Sequence, residues 1–292
     1  MEASVFTALF LPIALAVIML GMGLSLTTDH FKQVLITPKP VLTGLILQII
    51  ALPILAWIIA VAFRLPPELA VGLMLIAACP GGPTSNLISH LAQGNTALSI
   101  TLTALSSVLV IIALPFIINY SSLYFMGEGQ FVALPVIPTI LQIVVITLIP
   151  VSIGMMLKSR FPRFAERSQK SVKIVSAVFL ALVIVGALAR EKENLLGFFL
   201  LVGFAALALN LASMVVGYIG ARVMRLNLAQ VRAITVEVGI QNGTLGIAVA
   251  TAPTLLNNST MSIPAAIYSL IMFATGALVI LWGNLNHRRH GG

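Results

Sequence analysis

The residues in this chain best suited to chemistry are few and clustered. In Thr235-Val-Glu-Val-Gly-Ile-Gln-Asn-Gly-Thr-Leu-Gly246 an acid, Glu237, is followed four residues later by an amide, Gln241, which puts both on one face of a helix. The flanking sequence is apolar enough to span a bilayer, where a central carboxylate costs about 2.5 to 3.5 kcal/mol on insertion scales. Such an acid faces a cavity, a partner or an ion. Gly239, Gln241, Asn242 and Gly243 weaken the helix around it, so a break is expected here that frees backbone carbonyls near Val238 and Ile240. One negative charge among neutral oxygens suits a small hard cation such as sodium.

A second interruption is written as Cys79-Pro-Gly-Gly-Pro-Thr-Ser-Asn86, where two prolines and two glycines cannot continue a regular helix. Ser85 and Asn86 follow it, and Ser99 and Thr103, four apart, share a helical face; together they can complete an oxygen shell. Plainer readings compete. Serines and threonines in membrane helices commonly bond their own backbone or bridge helices, and Gln48, between Leu47 and Ile49, has the same alternative of interhelical glue. Glu237 has no such alternative, because no Lys or Arg lies deep in a span and Arg232 is expected to snorkel to the cytoplasmic surface. Catalysis finds little support. Ser85 with His90 suggests a hydrolase, but there is no Gly-x-Ser-x-Gly elbow, the spacing aims the ring poorly, and no His-Glu-x-x-His pair is present. The chain is expected not to be an enzyme.

The elements that must position these residues are membrane helices. The chain has 292 residues, of which 59% are hydrophobic and 8% charged, with apolar runs of about twenty residues from end to end. This is the composition of an all-α polytopic membrane protein in a lipid bilayer, read as one membrane transport domain over residues 1–292. A net charge of +8 does not imply nucleic acid as a partner, since the basic residues sit in short loops and at span ends. The single cysteine, Cys79, excludes an intrachain disulfide, and the start Met-Glu-Ala-Ser carries no basic residue before its apolar run, which is therefore expected to be a retained helix.

Nine transmembrane helices are expected: Val5 to Leu26, Val41 to Phe63, Leu69 to Leu91, Thr96 to Asn119, Ile137 to Leu157, Ile174 to Ala189, Leu195 to Ala221, Leu228 to Ala250 and Ser262 to Trp282. The third and eighth contain the breaks. Of the sixteen basic residues, thirteen fall on one side of this arrangement and Arg64, Arg190 and Lys192 on the other. That bias predicts a multi-pass protein of the cell (inner) membrane with its N-terminus outside and its C-terminus cytoplasmic. Glu2, Asp29, Glu68, Glu128, Glu166, Glu191 and Glu193 fall in loops or the N-terminus, leaving Glu237 as the acid inside. The broken third and eighth spans cross in opposite directions, each followed by an unbroken one, which is the pattern of inverted repeats whose site lies where the breaks meet. The first half then lacks its opening helix, and span five is unpaired.

Pro80-Gly-Gly-Pro-Thr-Ser-Asn86, Leu91-Ala-Gln-Gly-Asn-Thr-Ala-Leu-Ser99 and Glu237-Val-Gly-Ile-Gln-Asn242, with Gly21-Met-Gly-Leu-Ser-Leu26 and Gln48, resemble the bile acid:sodium symporter family in its bacterial nine-span form, over nearly the whole chain. The resemblance implies a core of spans 41–63, 69–91, 96–119, 195–221, 228–250 and 262–282, and a panel of spans 5–26, 137–157 and 174–189, with two broken helices crossing near the membrane centre. It implies two Na+ sites: one of Ser85, Asn86, Ser99, Thr103 and Glu237, the other of Gln48, Glu237 and Gln241 with the carbonyls of Val238 and Ile240. The implied function is secondary active transport, sodium-coupled symport of an organic anion (bile acid-like, a steroid conjugate, or a small keto acid or pantoate-like anion) by alternating access. The implied substrate side is the pair of half-helix starts, where positive dipole ends face the cavity: Thr84, Asn242, Gly243 and Thr244. Two positions depart from the family pattern, Pro83 where Thr is frequent and Gly243-Thr244 where Ser-Gly is frequent; proline also removes an N–H. The rival reading is a proton-coupled carrier or cation/proton antiporter in which Glu237 titrates. Such antiporters usually carry an intramembrane Asp, whereas Asp29 here falls in a loop.

Overall fold

The structure is a computed structural model that describes residues 10–129, 133–190 and 195–290. Glu2, Glu191, Lys192 and Glu193, and the start of the first expected span at Val5, lie outside the described residues. Among the described residues there are helices and no strand, as expected where a bilayer leaves the backbone no other partner for its polar groups.

The first span is bent. Helices α1 (Leu11–Gly23) and α2 (Thr28–Ile36) meet at 61°. The Thr27–Gln33 segment expected as a loop is therefore helical; Thr27 starts it, its N–H donating to His30 Nδ1 at 2.9 Å. The second span runs from Pro38 to Ala62 as α3 (Pro38–Ile46), a π-helical turn (Leu47–Ala51) and α4 (Leu52–Ala62). Ile46, Ile50, Ile54 and Ile58, one every fourth residue, leave an apolar stripe uncovered as lipid-facing residues do, while Gln48 is buried.

The third span is α5 (Pro67–Ala78) and α6 (Pro83–Leu91), bent by 62° at Cys79–Gly82. The interruption is shorter than the Cys79–Asn86 motif, because Pro83 takes the first position of α6, where a missing N–H is tolerated. Helix α7 (Thr96–Met126) is capped by the Asn95 side chain, which accepts from Leu98 N at 3.0 Å, and it continues past the expected end at Asn119. The Asn119 amide instead pins the following loop, donating to Leu134 O at 2.9 Å and accepting from Leu134 N at 2.7 Å.

Next come α8 (Val136–Ile143), a second π-helical turn (Val144–Leu148) and α9 (Ile149–Arg160) as one span, then α10 (Pro162–Arg190) and α11 (Leu195–Val223). The basic segment Arg163–Lys173, expected as a loop, forms the first turns of α10. The eighth span is α12 (Leu228–Gly239) and α13 (Gly243–Thr251), and a 3-10 turn (Thr260–Ser262) leads into α14 (Ile263–His290).

By length and composition, six helices among the described residues can cross a membrane, or eight if each bent pair is one span. Each of the nine expected spans has a helical counterpart, but the sixth is matched only by the shorter apolar stretch Ile174–Ala187 of α10. Helices α1, α9 and α10 pack on one another, while α11 packs on α12 and α14, and α5 on α4 and α7. From Val231 to Thr251 the α12–α13 span is buried at every residue, alone in this among the candidate spans of the described residues.

Candidate functional site

The two breaks touch. Asn242 N–H, in the gap between α12 and α13, donates to the carbonyl of Pro80, in the gap between α5 and α6, at 2.8 Å. Each gap exposes backbone that a continuous helix would satisfy internally, and each supplies what the other lacks. The Asn242 side chain also caps α13, accepting from Leu245 N at 3.1 Å.

Glu237 is fully buried one turn before the second gap. Its carboxylate accepts from Ser99 Oγ at 2.9 Å and from Thr103 Oγ1. The same two hydroxyls lie against Asn86 Oδ1, at 2.9 Å and 3.1 Å. A Cβ on Gly81 would strike the Glu237 carboxylate and come within 3.2 Å of Ser85 Oγ, so only glycine lets the first gap approach so closely. Ser85, Asn86, Ser99, Thr103 and Glu237, spread over α6, α7 and α12, are thus assembled in one place. Among the described residues the single ion pair is Lys32–Asp29, at 3.0 Å on an exposed helix, so no cation faces Glu237.

Gln241, in the second gap, donates from Nε2 to Val238 O at 2.8 Å, while its Oε1 is buried with no partner. The Val238 carbonyl therefore already accepts one hydrogen bond and keeps one lone pair for another partner. Gln48 is 2% exposed with neither side-chain polar atom partnered, on a π-helical turn that packs against α11 and α12. Orphaned polar groups in a dry interior are costly and point to a ligand. A buried oxygen on Gln241 and an unpaired amide on Gln48 suit a cation in a way that an apolar neighbour would not.

Two residues at this site were not anticipated. Asn210 on α11 and Tyr268 on α14 both donate to the Gly239 carbonyl, each at 2.8 Å. They satisfy the acceptor that the end of α12 leaves over, and both are fully buried. The available signal was a lone amide in the otherwise apolar seventh span. One expectation is corrected: Arg232 does not snorkel to the surface. It is 3% exposed, with Nη1 donating to Gln93 O at 3.3 Å and its guanidinium 5.6 Å from the centre of the Trp282 ring. Protein carbonyl and aromatic face take the place of water for part of the group, while Nε and Nη2 are buried without a hydrogen-bond partner.

A cavity of about 360 Å³ adjoins the crossing. Thr84, Asn242, Gly243, Thr244 and Pro83 line its inner end with Asn86 and Gln241; α1, α10 and α14 supply mainly apolar side chains. It extends along α6 to the exposed His90 and to Thr96. The cavity and the acid are neighbours but distinct, since Glu237 does not line the cavity wall.

The chain is also similar to known transport proteins. A profile described as the Sodium Bile acid symporter family matches residues 12–198, more than half of the chain. A sodium-dependent transporter of Bacillus subtilis, YocS, is 32% identical over 287 residues, covering 97% of this chain and 86% of that protein. A probable sodium/metabolite cotransporter of Arabidopsis thaliana chloroplasts, BASS1, is 28% identical, covering 91% of this chain and 65% of that protein. The human P3 protein is 33% identical, covering 77% of this chain, and the chain spans about half of its length, 47%. The relatives named as transporters, together with the recurrent apolar helices, make this an integral membrane protein of a transport family rather than an enzyme. The chain belongs to the sodium bile acid symporter family.

Proposed function

We propose that the protein is a secondary active symporter that couples sodium to the inward movement of an organic anion by alternating access. The observation that carries this reading is Glu237, a carboxylate buried where two broken helices touch, satisfied by neutral hydroxyls and facing no cation among the described residues. An anion so placed is stabilised by a bound cation. One sodium ion is held by Ser85, Asn86, Ser99, Thr103 and Glu237, whose oxygens already converge. A second is held by Gln48, Glu237 and Gln241 with the carbonyls of Val238 and Ile240, where the unpartnered Gln48 and Gln241 atoms supply free oxygens.

The organic anion occupies the cavity, with its charge at Thr84, Asn242, Gly243 and Thr244, where α6 and α13 begin and their positive dipole ends point outward. Sodium neutralises Glu237 and holds the two breaks together, pre-forming this anion site. Ion and substrate therefore strengthen each other's binding. The group of α1, α8 to α9 and α10 acts as a panel against which the remaining helices rock. The excess of basic residues on one side supports an orientation in a cell membrane with the His90 end of the cavity at the cytoplasm, and in that orientation the cavity opens inward.

Purified protein should unfold at a higher temperature in sodium than in choline, since a ligand stabilises the state that it binds. In liposomes the same exchange should abolish anion uptake. Glu237→Gln should lose both responses yet remain folded. An unchanged sodium response in this variant would overturn the reading, and uptake that follows a pH gradient without sodium would favour the proton-coupled alternative.

A further inference from the structure

The cavity wall contains a group that neither the ion sites nor the half-helix starts use. Pro83, Leu87 and His90 of α6 line the cavity at spacings of four and three, one continuous helical face. Pro83 stands at the inner end, beside the breaks. Seven residues on, about 10 Å along the axis at 1.5 Å per residue, His90 stands at the outer end. There its Nδ1 lies 3.4 Å from Thr96 Oγ1, at the start of α7. The rest of the wall is mainly apolar, with Leu87, Ile18, Leu180, Met272 and Phe273, and includes the hydroxyls of Ser25 and Ser176.

We infer that the cavity accepts an elongated organic dianion, with one acidic group at the half-helix starts, an apolar middle, and a second acidic group about 10 Å away held by His90 and Thr96. His90 is the one titratable side chain among the described residues lining the cavity. Among the described residues no other charged side chain lines the cavity. On α12, Arg232 is turned to the Gln93 carbonyl and the Trp282 face, and Glu237 to the Ser99 and Thr103 hydroxyls. On α14, Tyr268 donates to Gly239 O. The residues that α1, α7 and α10 bring to the cavity are apolar or hydroxyl-bearing. The imidazole ring offers an N–H donor to a carboxylate, and Thr96 Oγ1 offers a second hydrogen bond.

The inference rests on the proposed anion site, and the experiment separates the two. The intact protein in detergent and sodium is titrated at about pH 7 with nonanedioate and with nonanoate, which share a chain length matching the spacing, and affinity is read from thermal shift or calorimetry. The dianion should bind roughly tenfold more tightly than the monoanion, a hydrogen-bonded contact to a carboxylate in a partly open site. His90→Phe should abolish the preference while leaving nonanoate affinity and the sodium response intact, and His90→Lys should preserve the preference. Equal binding of the two anions by the wild type, failure of both to bind, or a preference surviving in His90→Phe overturns the inference. A protein that does not respond to sodium at all overturns the proposed function instead.

Discussion

The two broken spans reach similar geometry by different means. The first carries two prolines and two glycines at its gap and bends by 62°. The second carries no proline and stays straight enough to count as one 24-residue span, although its helix is also interrupted at Ile240–Asn242. Proline removes a donor and clashes with the preceding turn, so the first gap is imposed by covalent structure. The second has no such constraint: its glycines and amides only weaken the helix, and partners elsewhere satisfy what the gap exposes. Those partners are Asn210 and Tyr268 on the Gly239 carbonyl and Pro80 on the Asn242 amide. The comparison shows one break built from local chemistry and another held by tertiary contacts, with the acid placed on the latter.

The largest effect is expected where the two breaks meet most closely. Gly81→Ala would drive a methyl group into the Glu237 carboxylate and against Ser85 Oγ. Overpacking of this kind costs about 1 to 3 kcal/mol, so sodium affinity should fall roughly tenfold to a hundredfold, measured as the sodium concentration for half-maximal thermal stabilisation. Wild-type sodium affinity in Gly81→Ala would mean that the first break does not shape the acid's surroundings.

An intermediate effect is expected at the tertiary anchors of the second break. Tyr268→Phe and Asn210→Ala each remove one donor from Gly239 O and leave the other, so each should lower stability by about 0.6 kcal/mol. The double variant orphans the carbonyl and should lose more than the sum, by about 1 kcal/mol or more. A double-mutant cycle on denaturation would read this. Strict additivity would contradict the view that these two residues jointly hold the break open.

The smallest effect belongs to Pro83→Ala. The first position of α6 needs no N–H for its own helix, so stability should change by less than about 0.5 kcal/mol. The added donor faces the cavity end where an anion is proposed, and anion affinity should rise by about threefold or less, read by calorimetry with the monoanion above. Weaker anion binding would indicate that Pro83 contributes shape rather than a missing donor.

Much of this was legible beforehand. Composition and apolar runs imply membrane helices because the bilayer leaves few alternatives, and an acid in such a run is rare enough to mark a site. Spacing of four puts the Ser99 and Thr103 hydroxyls together on Glu237, whereas Gln241 lies past the end of α12 and turns to the Val238 carbonyl instead of sharing a helical face with Glu237. Helix ends were less legible. The Thr27–Gln33 and Arg163–Lys173 segments are polar, which suggested loops, yet polar residues outside the apolar layer remain helical when nothing breaks them. Arg232 was misread because charge alone suggests water, whereas Gln93 O and Trp282 come from distant parts of the chain.

What the sequence determined by itself was the class of molecule, the position of the first break and the identity of the buried acid, since each follows from local covalent chemistry or from the cost of charge in an apolar run. The tertiary structure alone decided that Pro80 and Asn242 meet, that Asn210 and Tyr268 close the end of α12, and that His90 stands at the far end of the cavity from the breaks. Those facts depend on backbone groups left unsatisfied in one helix and on which other helix comes near enough to satisfy them, a relation between segments far apart in the chain that no local pattern records.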